Sequence, residues 1–137
     1  MMNKKYQKLL VTFCVYDFIL LGPLALPWVN QEYLGFLSSF DMALGGVKWP
    51  EFSSLHFVLI GLFGTLGVFW AYWRLKHSGE QIGRHEGYLR FALGSWAFAG
   101  ALWSDSIVLL IVALLEFAVG VLHLNVNSAD FPQTKMS

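Results

Sequence analysis

Charge is scarce in this sequence. Only 13% of the 137 residues are charged, whereas 56% are hydrophobic and 17% are aromatic. A soluble domain carries roughly 25% charged residues, so this chain lacks the polar side chains that would cover a water-exposed surface. The composition therefore predicts a membrane protein that lies in contact with lipid.

Other absences exclude further classes of function. The formal net charge is zero, which gives no electrostatic basis for binding nucleic acid. Cys14 is the only cysteine, so no disulfide can form within the chain. His56 and His123 fall at opposite boundaries of the predicted membrane layer, so they cannot ligate one metal ion. No phosphate-binding or cofactor motif is present, and neither a metal site nor a cofactor is expected.

Four apolar segments approach the length of about 20 residues that crosses a bilayer. None shows the alternation of a barrel strand, so helices are expected to satisfy their backbone groups in lipid. The sequence therefore predicts an all-α integral membrane four-helix bundle. It forms one domain over residues 1–124, with spans at 9–27, 56–73, 87–103 and 106–124, followed by a flexible cytoplasmic tail over 125–137.

The basic residues are distributed unequally between the two ends of this bundle. Lys48 is the only one on the side of the first and third loops. The other side carries eight, namely Lys4, Lys5, Lys8, Arg74, Lys76, Arg84, Arg90 and Lys135. Basic residues accumulate on the cytoplasmic side. Both termini are therefore predicted to be cytoplasmic, or on the equivalent side in an organelle. The location expected for this multi-pass protein is a bacterial inner (plasma) membrane.

The outer loop over residues 28–55 is long for so small a bundle. Its stretch EYLGFLSSFDMAL places apolar residues at near-helical spacing, and Gly45-Gly46 follows. This pattern predicts an amphipathic helix that lies on the outer membrane surface.

Two carboxyl groups fall near the middle of the predicted spans. Asp17 lies about 12 Å from the inner end of the first span, and Glu116 about 15 Å from the outer end of the fourth. Ionisable residues at such depth usually face the bundle interior and mark a ligand site or an ion pathway. The alternative is that each is protonated and forms a hydrogen bond between helices. Two ionised carboxylates close together would repel, so they would share a proton or need a cation.

The chemistry of such a pair has three alternatives. It could bear a proton, act as counter-ion for a cationic ligand, or anchor the polar head of a lipid or quinone. His123 lies two turns after Glu116 on the same helix face and is a further ligand-binding or proton-bearing candidate, although a local hydrogen bond is the simpler expectation.

Arg90 is the fourth candidate, and two conformations are open to it. It lies two to three residues inside the third span, where it could reach a carboxylate or extend to the inner surface. Helical side chains lean toward the N-terminus, which here points away from Asp17, so extension to the surface is predicted.

Small residues recur along two of the spans. Gly61, Gly64 and Gly67 lie on adjoining turns of the second span, and Gly94 and Ala97 do so in the third. Such faces allow close approach of helix backbones in membranes. The second and third spans are therefore predicted to form a tight antiparallel pair.

The order of these features resembles a known group. WPEFSSLHFVLIGLFGTLG, RHEGYLRFALGSWAFAGAL and ALLEFAVGVLHL are similar to segments of the DoxX-like group of small four-helix membrane proteins, over residues 15–124. The resemblance implies a four-helix bundle, and for some members an association with quinone-coupled oxidoreductases or redox complexes. A weaker resemblance to the EXPERA group implies a sterol-like ligand beside Asp17 and Glu116, although that group's fuller acidic and histidine pattern is absent.

Three functions follow as hypotheses. The leading one is a non-catalytic integral membrane subunit that packs against other subunits of a larger redox or transport complex. The second is a small protein that binds, or isomerises, a lipid, sterol or quinone in a pocket around the two carboxyl groups. The third is a homo-oligomer that handles protons or cations.

Overall fold

Helices are the regular secondary structure of this chain throughout residues 4–77 and 80–125, the part that the structure describes. The structure is a computed structural model that describes residues 4–77 and 80–125. Within these ranges the helices are α1 (Lys4–Ala25), α2 (Val29–Ala43), α3 (Ser54–Lys76), α4 (Glu80–Ser104) and α5 (Ile107–Leu124). The all-α prediction is confirmed for the described residues. Apart from Asn125, which caps α5, the predicted tail lies outside them.

Three helices of the described part are long and apolar enough to cross a membrane. They are Lys8–Ala25 of α1, all of α3 and all of α5, and they correspond to the first, second and fourth predicted spans. The third predicted span lies within α4, which begins at Glu80 rather than at residue 87. This early start adds a polar N-terminal part, and it moves Arg90 from the beginning of the helix to a position about 15 Å along it.

The segment predicted as the outer loop contains the helix that its spacing predicts. α2 covers Val29–Ala43, and the chain turns at Gly45, whose φ is +89°. This backbone conformation favours glycine because a Cβ atom would be strained there.

The helices pack in two antiparallel pairs, α1 with α3 and α4 with α5. The predicted pairing of the second and third spans is therefore wrong. Gly64 faces the backbone of α1, and a Cβ atom there would lie 2.6 Å from the amide nitrogen of Ala25. Gly94 faces α5, where a Cβ atom would lie 3.3 Å from the carbonyl oxygen of Ala113. The small residues do mark close helix contacts, but their spacing carries no information about which helix they contact.

Replacing Gly64 by alanine is expected to lower the free energy of unfolding by about 1–2 kcal/mol, because overpacking a close contact forces the backbones apart. Gly35→Ala in α2 is the matched control, since a Cβ atom at that position would have no neighbouring atom within 4 Å. That control should be neutral or stabilising by about 0.5–1 kcal/mol, because alanine favours a helix over glycine. Unfolding by sodium dodecyl sulfate in mixed micelles measures both. Equal effects of the two substitutions would contradict the close α1–α3 contact.

Asp41 connects α2 to the beginning of α5. Its carboxylate is fully buried; Oδ1 accepts hydrogen bonds from the amides of Ile107 (2.8 Å) and Val108 (3.1 Å), and Oδ2 accepts one from Nε1 of Trp49 (2.6 Å). A carboxylate at this position also interacts favourably with the N-terminal end of the α5 dipole. Burial alone would raise the pKa of Asp41, but the hydrogen bonds from Ser106, Trp49 and the two amides outweigh it and lower the pKa.

Candidate functional site

Five charged side chains meet in the interior of the bundle. They come from four different helices, and none is more than 4% exposed. Salt bridges join them into one group, which we name the ionic cluster: Asp17 on α1, Arg74 on α3, Glu86 and Arg90 on α4, and Glu116 on α5. Buried charges persist in proteins when they are paired and hydrogen-bonded, which is the arrangement seen here.

Arg90 lies at the centre of the ionic cluster. Its Nη2 donates to Oδ1 of Asp17 (2.6 Å), its Nε to Oε1 of Glu86 (2.7 Å), and its Nη1 to Oε2 of Glu116 (2.9 Å). The prediction that Arg90 extends to the membrane surface is therefore wrong. The physical reason is the early start of α4, which places this side chain deep in the helix and level with the carboxylates.

Arg74 supplies the second guanidinium group. Its Nη2 donates to Oδ2 of Asp17 (2.7 Å) and to Sγ of Cys14 (3.1 Å), and its Nη1 pairs with Glu86. Its place in the sequence puts Arg74 among the basic residues of the inner side, whereas its side chain is 1% exposed. Cys14 also donates from Sγ to the carbonyl oxygen of Ala71 (3.4 Å), so the thiol belongs to the contact between α1 and α3.

Glu86, like Arg74, belongs to the described cluster but is not among the candidate site residues that the sequence indicates. It is fully buried, and besides the two arginines it accepts a hydrogen bond from Nε1 of Trp70 (2.7 Å). The signal that could have identified it is its spacing from Arg90, because acidic and basic residues four positions apart pair on a helix face. Its stretch, RLKHSGEQIGRHEG, has the composition of a polar loop, and in a loop that spacing carries no structural meaning.

The structure brings Asp17 and Glu116 to the same guanidinium group. Asp17 accepts from Nη2 of Arg90 and Glu116 from Nη1, so one guanidinium group bridges the two carboxyl groups. Glu116 also accepts a hydrogen bond from the hydroxyl group of Tyr16 (3.3 Å). The pair is thus one part of a larger network.

His123 is buried near this network without a salt bridge to it in the described part of the chain. Its Nδ1 lies 3.0 Å from the carbonyl oxygen of Val119, one turn earlier in α5, and its ring lies 5.3 Å from that of Phe13. Nε2 has no hydrogen-bond partner among the described residues. The local hydrogen bond matches the simpler expectation for this residue.

A groove of about 230 Å³ leads to the ionic cluster between α3 and α4. Its walls are apolar and its floor is polar. The outer wall residues Phe63, Leu66 and Leu89 are each at least 40% exposed, so the groove opens to the exterior of the bundle. The lining consists of Leu21, Phe63, Leu66, Gly67, Trp70, Leu89 and Leu93, with Asp17, Glu86 and Arg90 at the floor.

The donor atoms of the cluster do not form a metal centre. Within residues 4–77 and 80–125, no three or more histidine, cysteine or carboxylate side chains are grouped so that they could hold a metal ion. Guanidinium groups lie between the carboxylates instead, and these offer donors only. What the arrangement can do is hold a proton, or present charged hydrogen-bonding groups to a molecule in the groove.

Comparison with known proteins identifies no relative of this chain. Scans of protein-family models, of curated proteins and of solved structures give no match for it.

Proposed function

We propose that this chain is a four-span membrane protein that binds an amphipathic molecule in the groove between α3 and α4. The molecule belongs to the class of membrane lipids, sterols or quinones, with an apolar body and a polar head. The head meets Asp17, Glu86 and Arg90, and the body lies along the apolar walls. The observation that carries this proposal is the groove itself, which joins an apolar opening to buried charges.

The apolar walls and polar floor have the composition of a typical small-molecule site. Such sites are lined mainly by hydrophobic side chains, and a few polar groups orient the ligand. Ionisable residues inside a membrane protein usually mark such a site or a pathway. Asp17, Glu86 and Arg90 provide both acceptors and donors at the floor, so the site suits a head group that both donates and accepts hydrogen bonds.

The fourth span of this proposal is α4. It is 25 residues long, or about 37 Å, which is enough to cross the hydrocarbon layer. It packs along α5, and its charges Glu86 and Arg90 point into the cluster rather than toward lipid. Two of the charges that lower the hydropathy of α4 are therefore buried inside the bundle, and this supports counting it as a span.

The proposed orientation keeps both termini on the cytoplasmic side of a bacterial plasma membrane. Arg74 and Arg90 each pair with carboxylates of the cluster, so neither counts toward the charge of the inner surface. Six basic residues then remain on that side against Lys48 on the other, which still favours the same orientation. α2 lies on the opposite, outer surface in this arrangement.

Replacing Leu66 by tryptophan is expected to weaken binding in the groove at least about tenfold, which corresponds to the loss of roughly 1.4 kcal/mol of contact energy. Leu66 lines the groove and is 68% exposed, so a larger ring fills the opening without disturbing packed neighbours. Native mass spectrometry of the detergent-solubilised chain, titrated separately with decylubiquinone, cholesterol and phosphatidylglycerol, measures the affinity for each probe.

Leu102→Trp is the matched control for this experiment. Leu102 lies on α4, is 65% exposed and does not line the groove, so the same substitution there should leave the affinity unchanged. Equal affinities of the Leu66 and Leu102 variants for every probe, or no binding of any probe by the unmodified chain, would contradict the proposal.

The same spectra bear on the hypothesis of an accessory subunit. Trp96 and Trp103 on α4 are more than 70% exposed, and exposed aromatic side chains are common where proteins associate. A mass that includes other membrane proteins would favour the accessory subunit, a mass of several copies would favour the homo-oligomer, and a single chain would argue against both. The DoxX-like resemblance and these two functions remain proposals from the sequence.

A further inference from the structure

The ionic cluster holds more carboxyl groups than guanidinium groups. Among the described residues it contains the carboxyl groups of Asp17, Glu86 and Glu116 but only the guanidinium groups of Arg74 and Arg90. With every group ionised, the cluster would carry one uncompensated negative charge. Such a charge is very costly in an apolar interior, and a carboxyl group there takes up a proton instead.

The three carboxyl groups differ in the number of guanidinium groups that donate hydrogen bonds to them. Asp17 and Glu86 each accept hydrogen bonds from both guanidinium groups of the cluster. Glu116 accepts from only one of them, Arg90, whose Nη1 lies 3.1 Å from Oε1 and 2.9 Å from Oε2. Its other partner is the neutral hydroxyl group of Tyr16, 3.3 Å from Oε1. Of the three, the negative charge of Glu116 is therefore the least compensated.

We propose that the ionic cluster is a proton-binding site and that Glu116 carries the proton. In the protonated state, Oε2 of Glu116 still accepts from Arg90. The hydroxyl hydrogen of Tyr16 turns away from Oε1, and the new O–H group at Oε1 donates to the hydroxyl oxygen of Tyr16. Loss of the proton to water breaks the O–H bond of Glu116 and leaves its electron pair on the carboxylate, so the cluster changes from neutral to a charge of minus one. This inference stands on the charges of the cluster and does not require a molecule in the groove.

A bound cation could in principle supply the missing positive charge, but the geometry favours a proton. A metal ion needs several oxygen ligands that converge on one point. In the described part of the chain, no three acidic, histidine or cysteine side chains converge in that way. A proton needs only one carboxyl oxygen and one acceptor, which Glu116 and Tyr16 provide.

Charged and titratable groups on four helices belong to the network around Glu116. They are Tyr16 and Asp17 on α1, Arg74 on α3, Glu86 and Arg90 on α4, and His123 two turns along α5. Proton binding therefore depends on the whole cluster, and a change in any member changes the pH at which Glu116 exchanges its proton.

Infrared spectroscopy of the full chain in dodecyl maltoside, a detergent without carbonyl groups, tests the proposal. A protonated carboxyl group has a C=O stretching band that moves to lower frequency in D₂O. The expected result is such a band at neutral pH, its complete loss in Glu116→Gln, and its persistence in Glu51→Gln. Glu51 is an exposed carboxyl group outside the cluster and is the matched control.

A second pair of variants identifies the band even if Glu116→Gln fails to fold. Tyr16→Phe removes the hydrogen bond to Glu116, so it should shift the frequency of the band without abolishing it. Tyr88→Phe, at an exposed tyrosine of α4, should leave the frequency unchanged. The proposal is overturned if the unmodified chain has no such band, if the band survives in Glu116→Gln, or if Tyr16→Phe leaves its frequency unchanged.

Discussion

Arg90→Met is expected to lower the free energy of unfolding by about 3–5 kcal/mol, the range found when one partner of a buried ion pair is removed. Methionine has a similar length and no charge. The substitution leaves Asp17, Glu86 and Glu116 with Arg74 as the remaining guanidinium group of the described cluster. Glu116 loses its hydrogen bonds from a charged group. The effect is therefore much larger than the removal of an exposed charge.

Arg90→Lys should recover only part of this loss. The guanidinium group of Arg90 donates in three directions at once, through Nε, Nη1 and Nη2. An ammonium group is a single point charge, and it cannot reproduce the planar fork that matches several carboxylates. A full recovery by lysine would show that charge alone matters and would argue against the observed geometry.

Unfolding in mixed micelles with increasing sodium dodecyl sulfate, followed by far-ultraviolet circular dichroism, measures these effects. Arg84→Met is the matched control, because Arg84 lies on the same helix and is exposed. Its effect should stay below about 1 kcal/mol, as for most exposed charges. Equal stability of the Arg90 and Arg84 variants would mean that Arg90 extends to the membrane surface, as its place in the sequence predicts.

The helices themselves could be predicted from the sequence. Long apolar segments must be helical in lipid, so α1, α3 and α5 follow directly from their length and composition. α2 follows from the spacing of apolar residues in the outer loop. In each case the signal is local, which is why a single sequence is sufficient to detect it.

The ionic cluster could be predicted only in part. The depth of Asp17 and Glu116 follows from helix geometry, and both do lie in the interior. Arg90 pairs with Asp17 across 73 positions, and Arg74 pairs with Asp17 across 57. Such partners depend on which helices pack together, and glycine spacing does not reveal this. The polar start of α4 also resembles a loop in composition, and one of the two arginines that pair with Glu86 lies on another helix, α3.

Asp41→Asn is expected to lower the free energy of unfolding by about 2–3 kcal/mol at neutral pH, since hydrogen bonds to a charged group contribute about 1.5–3 kcal/mol. An asparagine oxygen can still accept from the amides of Ile107 and Val108. Its amide nitrogen, however, would face Nε1 of Trp49 as a second donor. The substitution also removes the negative charge from the N-terminal end of α5. Asp105→Asn, at an exposed position two residues before α5, is the matched control and should have little effect.

The contribution of Asp41 should depend on pH in a defined direction. Its pKa in the folded chain lies below the ordinary value of 3.8, because the hydrogen bonds to its carboxylate outweigh the effect of burial. The ionised form is therefore favoured by folding. The stabilisation of the folded chain by this carboxylate is present above the ordinary pKa of 3.8, and it is lost as the pH falls through the lower pKa of the folded state. The stability difference between the unmodified chain and Asp41→Asn should shrink over that interval and stay constant from about pH 5 to 8. A stability difference that grows as the pH falls would mean that the folded chain holds Asp41 in its protonated form. It would then contradict the proposal that a carboxylate caps α5.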